Sequence, residues 1–188
     1  MIFGVVIFGG QYNHLIVKNL KSLGVDVIQI PFKQIEDYLG KTDCLVLGGG
    51  PQSVIDNKDE LAPLMEKIRL LNKPTLGICL GFQVLSSSLG GSVIKSNRPE
   101  YGLTRITIDN NDTILNSIPK SFNAWESHAD EVISPPEGFE VLAKSVNGVI
   151  QAISNEKKGI FGVQFHPEVK HTEYGMKVFE NFVNYCRK

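Results

Sequence analysis

Two short segments of the chain carry residues that could attack an acyl carbon. Cys79 lies in residues 77–81 (GICLG), directly after an apolar run. A cysteine between small residues on a sharp strand-to-helix turn has the layout of a nucleophile elbow, with sulfur in place of the serine hydroxyl. The positive end of the helix that follows favours the thiolate over the thiol. The segment therefore predicts that Cys79 is a nucleophile rather than a core thiol.

The second segment supplies a base and a group to orient it. His166 precedes Pro167, which disfavours the helical conformation and keeps the chain extended at the histidine. Side chains two residues apart in an extended chain project to the same side, so Glu168 can reach the His166 ring and fix its tautomer. Alone, the segment is equally typical of a strand-end histidine in an ordinary turn. Together with Cys79 it predicts a cysteine–histidine–glutamate catalytic set.

The first half of the chain must position the nucleophile. Apolar runs and helical spacing predict alternating elements: strands over 2–8, 25–30, 43–47 and 75–78, and helices over 12–23, 61–71 and 82–89. Such alternation is typical of a parallel sheet covered by helices on both faces. Active sites of these sheets lie beyond the carboxyl ends of the strands, which is where Cys79 and residues 48–51 would fall.

The second half changes character. Turn residues divide five predicted strands, over 102–108, 121–125, 139–145, 149–153 and 159–165, and a helix over 174–185 ends the chain. This pattern predicts that the later strands are added to the sheet in antiparallel orientation. The predicted fold class is therefore α/β, with an open, mainly parallel central sheet, helices on both faces and antiparallel strands in the C-terminal half. A length of 188 residues predicts one domain over 1–188.

Composition narrows the functional class. A net charge of −1 without a Lys/Arg block argues against nucleic-acid binding, and no apolar run is long enough to span a membrane. Three cysteines at unrelated spacings predict neither a disulfide framework nor a metal cage, with Cys44 as a buried strand residue and Cys186 as a helix-end thiol. A nucleophilic thiol favours a reducing compartment, so we expect a cytoplasmic protein. Gly9 and Gly10 lack the full dinucleotide pattern and predict a plain strand–helix turn with no chemistry of its own.

Three motifs resemble those of one enzyme family. Residues 77–83 (GICLGFQ), 162–168 (GVQFHPE) and 48–51 (GGGP) are similar to the nucleophile, base and oxyanion segments of class I glutamine amidotransferases. The resemblance covers essentially the whole chain. It implies that Cys79, His166 and Glu168 hydrolyse glutamine through a thioester, and that the backbone N–H groups of Gly50 and Leu80 form the oxyanion hole.

The resemblance also implies a set of glutamine-binding residues. Gln83 lies one helical turn after Cys79 and can line the same pocket. The family pattern adds backbone contacts from Ser127, Ala129 and Asp130, with a similar contribution from Gln52. The alternative for Gln83 is a surface glutamine of the helix.

His128 is a second histidine with acidic neighbours. It could be a rival base or a metal ligand, but His14 and His171 show no cooperating spacing with it, so we expect no metal site. The fuller motif at His166 favours that residue as the base. His128 is left as a positioning or partner-facing residue.

The segments around these motifs indicate the acceptor of the ammonia. Residues 100–102, 125–132 and 166–175 resemble the glutaminase part of GMP synthetases that use a separate glutaminase subunit. That resemblance implies glutamine as substrate, no cofactor in this chain, and a partner ATP-pyrophosphatase subunit that binds ATP and Mg²⁺ and aminates XMP. It also implies that the partner covers the mouth formed by residues 48–51, 79–83 and 127–131.

Three alternatives remain open from the sequence. The chain could be the glutaminase of a chorismate-pathway synthase, although the His-Gly-Lys and Tyr-His-Ser segments usual there are missing. It could be a stand-alone γ-glutamyl or cysteine hydrolase. It could also be a non-catalytic regulatory subunit that binds glutamine, although the intact set of Cys79, His166 and Glu168 speaks against that.

Overall fold

One nine-stranded sheet organises the whole chain, with strand order β2-β1-β3-β4-β9-β8-β7-β5-β6. The computed structural model describes residues 1–188. The strands are β1 (Ile2–Ile7), β2 (Asp26–Pro31), β3 (Cys44–Leu47), β4 (Thr75–Ile78), β5 (Ser92–Ile108), β6 (Ser121–Ser134), β7 (Glu140–Ser145), β8 (Ile150–Asn155) and β9 (Ile160–Val163). The predicted α/β fold with parallel and antiparallel parts is confirmed.

The sheet changes direction at β9. Strands β2, β1, β3, β4 and β9 run parallel, whereas β8, β7, β5 and β6 pair antiparallel. We predicted the later strands as antiparallel additions, so β9 differs in being the parallel neighbour of β4. This crossover brings the segment after β9 beside the turn after β4. It thereby carries the second predicted motif to the first.

Helices cover both faces of the parallel part. They are α1 (Asn13–Ser22), α2 (Glu36–Leu39), α3 (Lys58–Arg69), α4 (Leu80–Ser88) and α5 (Gly175–Cys186). Alternate strand residues divide between two cores: Phe3 and Val46 join the core of α1 and α5, while Val6 and Leu47 join the core of α3 and α4. This division follows from the alternation of side chains along a strand.

Strands β5 and β6 are much longer than predicted. The predicted strands began at residue 102 and ended at residue 125, but pairing extends from Ser92 opposite Ser134 to Thr107 opposite Ser121, with irregularities near Ser92 and Lys95. Alternating exposure along this ribbon explains why its outer part lacks a continuous apolar run. Its consequence is that residues 126–130 lie on a strand and not on a loop.

Cys44 and Cys186 form a disulfide although 142 residues separate them. The prediction that the cysteines form no disulfide is therefore wrong. Cys44 is buried in β3, as predicted, and the end of α5 packs over the same face of the sheet. Spacing along the sequence carries no trace of this pairing, because only the tertiary fold brings the two residues together. Cys79 remains as the free cysteine.

None of the helices has the length and apolar character that crossing a bilayer would require.

Candidate active site

Cys79 occupies the sharp turn between β4 and α4. Its backbone has φ 52° and ψ −110°, a conformation that residues other than glycine rarely adopt. Close packing requires the neighbouring glycines. A Cβ on Gly81 would lie 2.1 Å from the carbonyl oxygen of Leu47, and a Cβ on Gly77 would lie 2.7 Å from the carbonyl oxygen of Gly81. The turn therefore has the geometry of the predicted nucleophile elbow.

The structure brings His166 and Glu168 together as expected. Nδ1 of His166 lies 2.7 Å from Oε1 of Glu168, and both side chains are buried. The backbone of His166 is anchored on both sides, since its N–H donates to the Trp125 carbonyl and its carbonyl accepts from the Thr172 hydroxyl at 2.6 Å. Glu168 thus fixes the orientation of the ring, and the other ring nitrogen is left for chemistry.

Cys79 and His166 meet beside Gly49. A Cβ on Gly49 would lie 3.2 Å from Cε1 of His166 and 3.8 Å from Cβ of Cys79, so both residues border the space that a side chain at this position would fill. Burial lowers the pKa of His166, but the negative charges of Cys79 and Glu168 outweigh it and raise that pKa to about 11. The ring is therefore protonated at neutral pH and lies beside the nucleophile. A protonated histidine in this position can donate a proton to a leaving group.

The predicted oxyanion donors flank the nucleophile. Gly50 and Leu80 line the same cavity as Cys79, and no acceptor in the chain receives the N–H of either residue. The packing is tight here too, because a Cβ on Gly50 would lie 2.9 Å from Cδ2 of Leu80. Two free N–H groups beside a nucleophile can stabilise the oxyanion of a tetrahedral intermediate.

Asn13 holds this loop in place, a role that sequence reasoning missed. Its side-chain amide is buried and donates to the Gly49 carbonyl at 3.1 Å. The fit depends on glycine, since a Cβ on Gly48 would lie 2.2 Å from Oδ1 of Asn13. An asparagine at the first turn of a predicted helix is an ordinary feature, so no local signal identified this contact.

All five predicted glutamine-binding residues line one cavity of about 570 Å³, which we call the first cavity. Ser127, Ala129 and Asp130 lie along one wall on β6, and the Ser127 carbonyl is 3.7 Å from Sγ of Cys79. Gln52 faces them, and its buried Oε1 has no hydrogen-bond partner. An unpaired buried amide oxygen suits a substrate that brings an ammonium group.

Gln83 is buried, so the alternative of a surface glutamine is wrong. Its amide nitrogen donates to the Asp130 carbonyl at 2.9 Å and to Oε1 of Gln164 at 3.1 Å, which leaves its own oxygen without a donor in the chain. Ser53, which we had not singled out, donates to the Asp130 carboxylate at 2.5 Å. The Gln83 bond joins the wall on β6 to α4, and the Ser53 bond joins it to the segment between β3 and α3.

His128 lines the first cavity and belongs to a buried polar cluster. Its Nε2 is 3.0 Å from Glu100 and 3.3 Å from Glu126, while Nδ1 is 2.9 Å from the Asp130 carbonyl. Both ring nitrogens therefore face acceptors, which requires the protonated ring. Burial lowers the pKa of His128, but the two glutamates outweigh it and raise that pKa to about 10. With a side chain only 1% exposed, His128 cannot face a partner, and the positioning role is the one that fits.

The same three side chains are close enough to hold a cation, with ligand atoms within 4.8 Å of one another. The sequence did not combine them, because Glu100 is far from His128 along the chain. Glu100 already accepts from Asn147 and Gln151 as well as from His128. Burial is the main cause that raises the pKa of Glu126 to about 7, and its oxygens have no partner other than Nε2 of His128 at 3.3 Å. The chemistry described above needs no ion at this cluster.

The fold and this site define the class of protein. The family model for class I glutamine amidotransferases matches residues 5–186, and the chain belongs to that family.

Relatives of known name indicate which members of the family this chain resembles. The chain is 53% identical to a glutamine-hydrolyzing GMP synthase subunit of Sulfolobus acidocaldarius and 51% identical to the protein of the same name from Sulfurisphaera tokodaii, over the full length of each. A crystal structure of a Thermoplasma acidophilum protein, provisionally named as a GMP synthase subunit, superposes with a TM-score of 0.93 at 35% identity. That match covers 100% of this chain and 94% of the other.

Proposed function

We propose that the chain is the glutaminase subunit of a two-subunit GMP synthetase, which hydrolyses glutamine and delivers ammonia to a synthase subunit that aminates XMP. The observation that carries this proposal is identity of 51–53% over the whole chain with proteins named as glutamine-hydrolyzing GMP synthase subunits. The glutaminase chemistry is supported independently by the arrangement of Cys79, His166 and Glu168.

The first half-reaction begins with Cys79. Its thiolate adds to the carboxamide carbon of glutamine, and the N–H groups of Gly50 and Leu80 receive the oxyanion that forms. Protonated His166 then gives its proton to the leaving nitrogen, so the C–N bond breaks and ammonia departs as a neutral molecule. A γ-glutamyl thioester remains on Cys79, and His166 is left neutral.

The second half-reaction restores the enzyme. Neutral His166 takes a proton from water, and the hydroxide adds to the thioester carbon in the same oxyanion hole. Collapse of this intermediate expels the Cys79 thiolate and releases glutamate. His166 is again protonated opposite a thiolate, which is the state that the buried Glu168 carboxylate stabilises.

Binding of glutamine is assigned to the first cavity. The substrate's α-ammonium group fits the carbonyls of the β6 wall, the unpaired oxygen of Gln52 and the Gln83 oxygen, which receives no hydrogen bond, while its side chain points towards Cys79. ATP and Mg²⁺ belong to the partner in this proposal. We also propose a cytoplasmic location for the protein. The Cys44–Cys186 disulfide argues against this location, because disulfides are rare in reducing compartments. Hyperthermophiles are the exception, since their intracellular proteins often contain disulfides.

GMP formation from XMP, ATP with Mg²⁺ and glutamine tests the proposal, with this chain mixed with the ATP-pyrophosphatase subunit from the same source. Glutamine-dependent GMP only when both chains are present is the expected result. Ammonium salt must support GMP formation by the partner alone. Cys79→Ala should abolish the use of glutamine and leave the ammonium-dependent reaction unchanged. GMP from ammonium but never from glutamine would refute the acceptor, and a chorismate-using partner would be tried next.

A further inference from the structure

Cys79 lies between two cavities. The first cavity holds the predicted glutamine-binding residues. A second cavity, of about 320 Å³, adjoins the first at Cys79 and is lined by the turn at residues 9–12, the oxyanion loop at 49–51, Cys79, Ser127 and His166. Gln83 and Asp130 line only the first cavity, whereas His166 lines only the second. The nucleophile is thus reached from two sides that differ in chemistry.

The proton donor fixes the side on which nitrogen leaves. Glutamine in the first cavity presents its amide carbon to Cys79, and the departing nitrogen must take its proton from His166. Because His166 lines only the second cavity, ammonia is released into that cavity and away from the bound γ-glutamyl group. The water that hydrolyses the thioester is activated by the same ring and must approach from the same side.

The charges of the two cavities agree with this division. The first cavity is lined by both signs of charge, which suits a zwitterionic amino acid; the charged residues are Asp56, Asp130, Lys95 and the protonated His128. The second cavity has no carboxylate and no lysine or arginine in its lining. A carboxylate beside ammonia would favour ammonium, which is not a nucleophile. Apart from the Cys79–His166 pair itself, the lining is therefore uncharged, and the positive His166 ring disfavours protonation of ammonia beside it.

The turn at residues 9–12 is built against the active site. Gly9 has φ 83°, and a Cβ on Gly10 would lie 2.4 Å from the Gly49 carbonyl oxygen, so the turn touches the oxyanion loop only because glycines occupy it. The ring of Tyr12 packs edge-on against that of His166, with centroids 5.2 Å apart. From the sequence this turn had no assigned chemistry. In the structure it forms the outer wall of the second cavity.

A groove lined by both apolar and charged residues adjoins this wall. Tyr12 also lines a cavity of about 670 Å³ together with Leu15, Trp125, Tyr174 and Met176. Tyr174 and Met176 are exposed large side chains, at 50% and 38%. Exposed apolar side chains beside a product exit provide a seat for the protein that consumes the product.

We infer that ammonia leaves and water enters through the second cavity, and that the synthase subunit seats over residues 9–12 and the adjoining groove while the first cavity admits glutamine. This inference rests on the proposed function, since it requires a synthase subunit that consumes the ammonia. This seat differs from the sequence-based expectation, in which the partner covers the mouth formed by residues 48–51, 79–83 and 127–131.

The variant Gln11→Trp narrows the exit at an exposed position, and Tyr101→Trp, at an exposed position on the rim of the first cavity, is its matched control. Both are assayed in the reconstituted complex for glutamine KM and for the ratio of GMP to glutamate formed. Gln11→Trp should lower that ratio at least about twofold with KM unchanged, whereas Tyr101→Trp should raise KM and leave the ratio unchanged.

The outcomes separate the inference from the proposed function. A Gln11→Trp complex with the wild-type ratio overturns the inference, as does the reverse pattern, in which Gln11→Trp raises KM and Tyr101→Trp lowers the ratio. Loss of synthase binding by a folded Gln11→Trp chain, seen by gel filtration, supports the seat directly. A wild-type complex that makes no GMP from glutamine refutes the proposed function, and the inference with it.

Discussion

Replacement of Asn13 by alanine tests how the oxyanion hole is held in shape. The Asn13 amide donates to the Gly49 carbonyl at 3.1 Å, one residue before the predicted donor Gly50. Without it, a buried carbonyl loses its partner, at a cost of about 1–3 kcal/mol. The loop is then free to rotate the Gly50 N–H away from the position that the oxyanion occupies.

The size of the effect follows from that energy. If the whole 1–3 kcal/mol favours the aligned loop, kcat falls by about 5- to 150-fold in Asn13→Ala. Complete loss of one oxyanion donor, about 10²–10³ in kcat, sets the upper limit. Asn13 does not line the first cavity, so KM for glutamine should be unchanged. For a chain of this size, Tm should fall by about 2–4 °C for each kcal/mol.

Glutamate release measured over a range of glutamine concentrations separates kcat from KM in the reconstituted complex. Asn13→Asp keeps the size of the side chain but removes its donor, so it should resemble Asn13→Ala. Asn184→Ala, which changes an exposed asparagine on α5, should match the wild type. A folded Asn13→Ala enzyme with wild-type kcat, or with its entire defect in KM, would refute the role given to this side chain.

Three further predictions concern groups around the site and the core. Glu168→Gln removes a carboxylate 2.7 Å from His166, so the pKa of His166 should fall from about 11. The same change should lower kcat about 10⁴-fold. A pH titration followed by thiolate absorbance measures the first effect, and initial rates measure the second. His128→Asn leaves the buried carboxylates of Glu100 and Glu126 without their cation and should lower the free energy of unfolding by about 3–5 kcal/mol. The wild-type pKa of about 10 lies above the usual 6.5, so the stabilising effect is complete below pH 6.5 and is lost as pH rises through 10; urea unfolding should show a flatter profile for the variant. Cys186→Ser removes a disulfide that joins residues 142 apart, and the chain-entropy model predicts that the free energy of unfolding falls by about 5 kcal/mol. Counting of thiols should give one reactive cysteine in the unfolded, unreduced wild type.

The parallel half of the fold was predictable because its strands are apolar on both faces. The strand over Thr75–Ile78 was predicted with its observed bounds, and the other early strands differ by a residue or two. The elbow was predictable for a related reason: the small residues that its packing requires are themselves the sequence signal. The contact of His166 with Glu168 followed from local geometry across a proline, which needs no knowledge of the fold.

What could not be predicted depends on contacts between distant segments. The bond of Asn13 to the Gly49 carbonyl joins residues 36 apart, and the approach of Glu100 to His128 spans a long antiparallel ribbon. The outer part of that ribbon has no continuous apolar run, so its extent was underestimated. None of these pairings leaves a periodic or compositional mark on the chain.

The backbone of Cys79 carries a cost that its chemistry explains. A residue with a side chain at φ 52° and ψ −110° is strained by about 1–3 kcal/mol, and the fold must supply that energy from elsewhere. Glycine would relax there, so Cys79→Gly should unfold at a higher temperature than the wild type while losing glutaminase activity. Selection for thermal stability alone would thus remove the nucleophile. The cysteine is kept at this turn because the reaction requires it, and stabilising contacts elsewhere in the sheet offset its conformational energy.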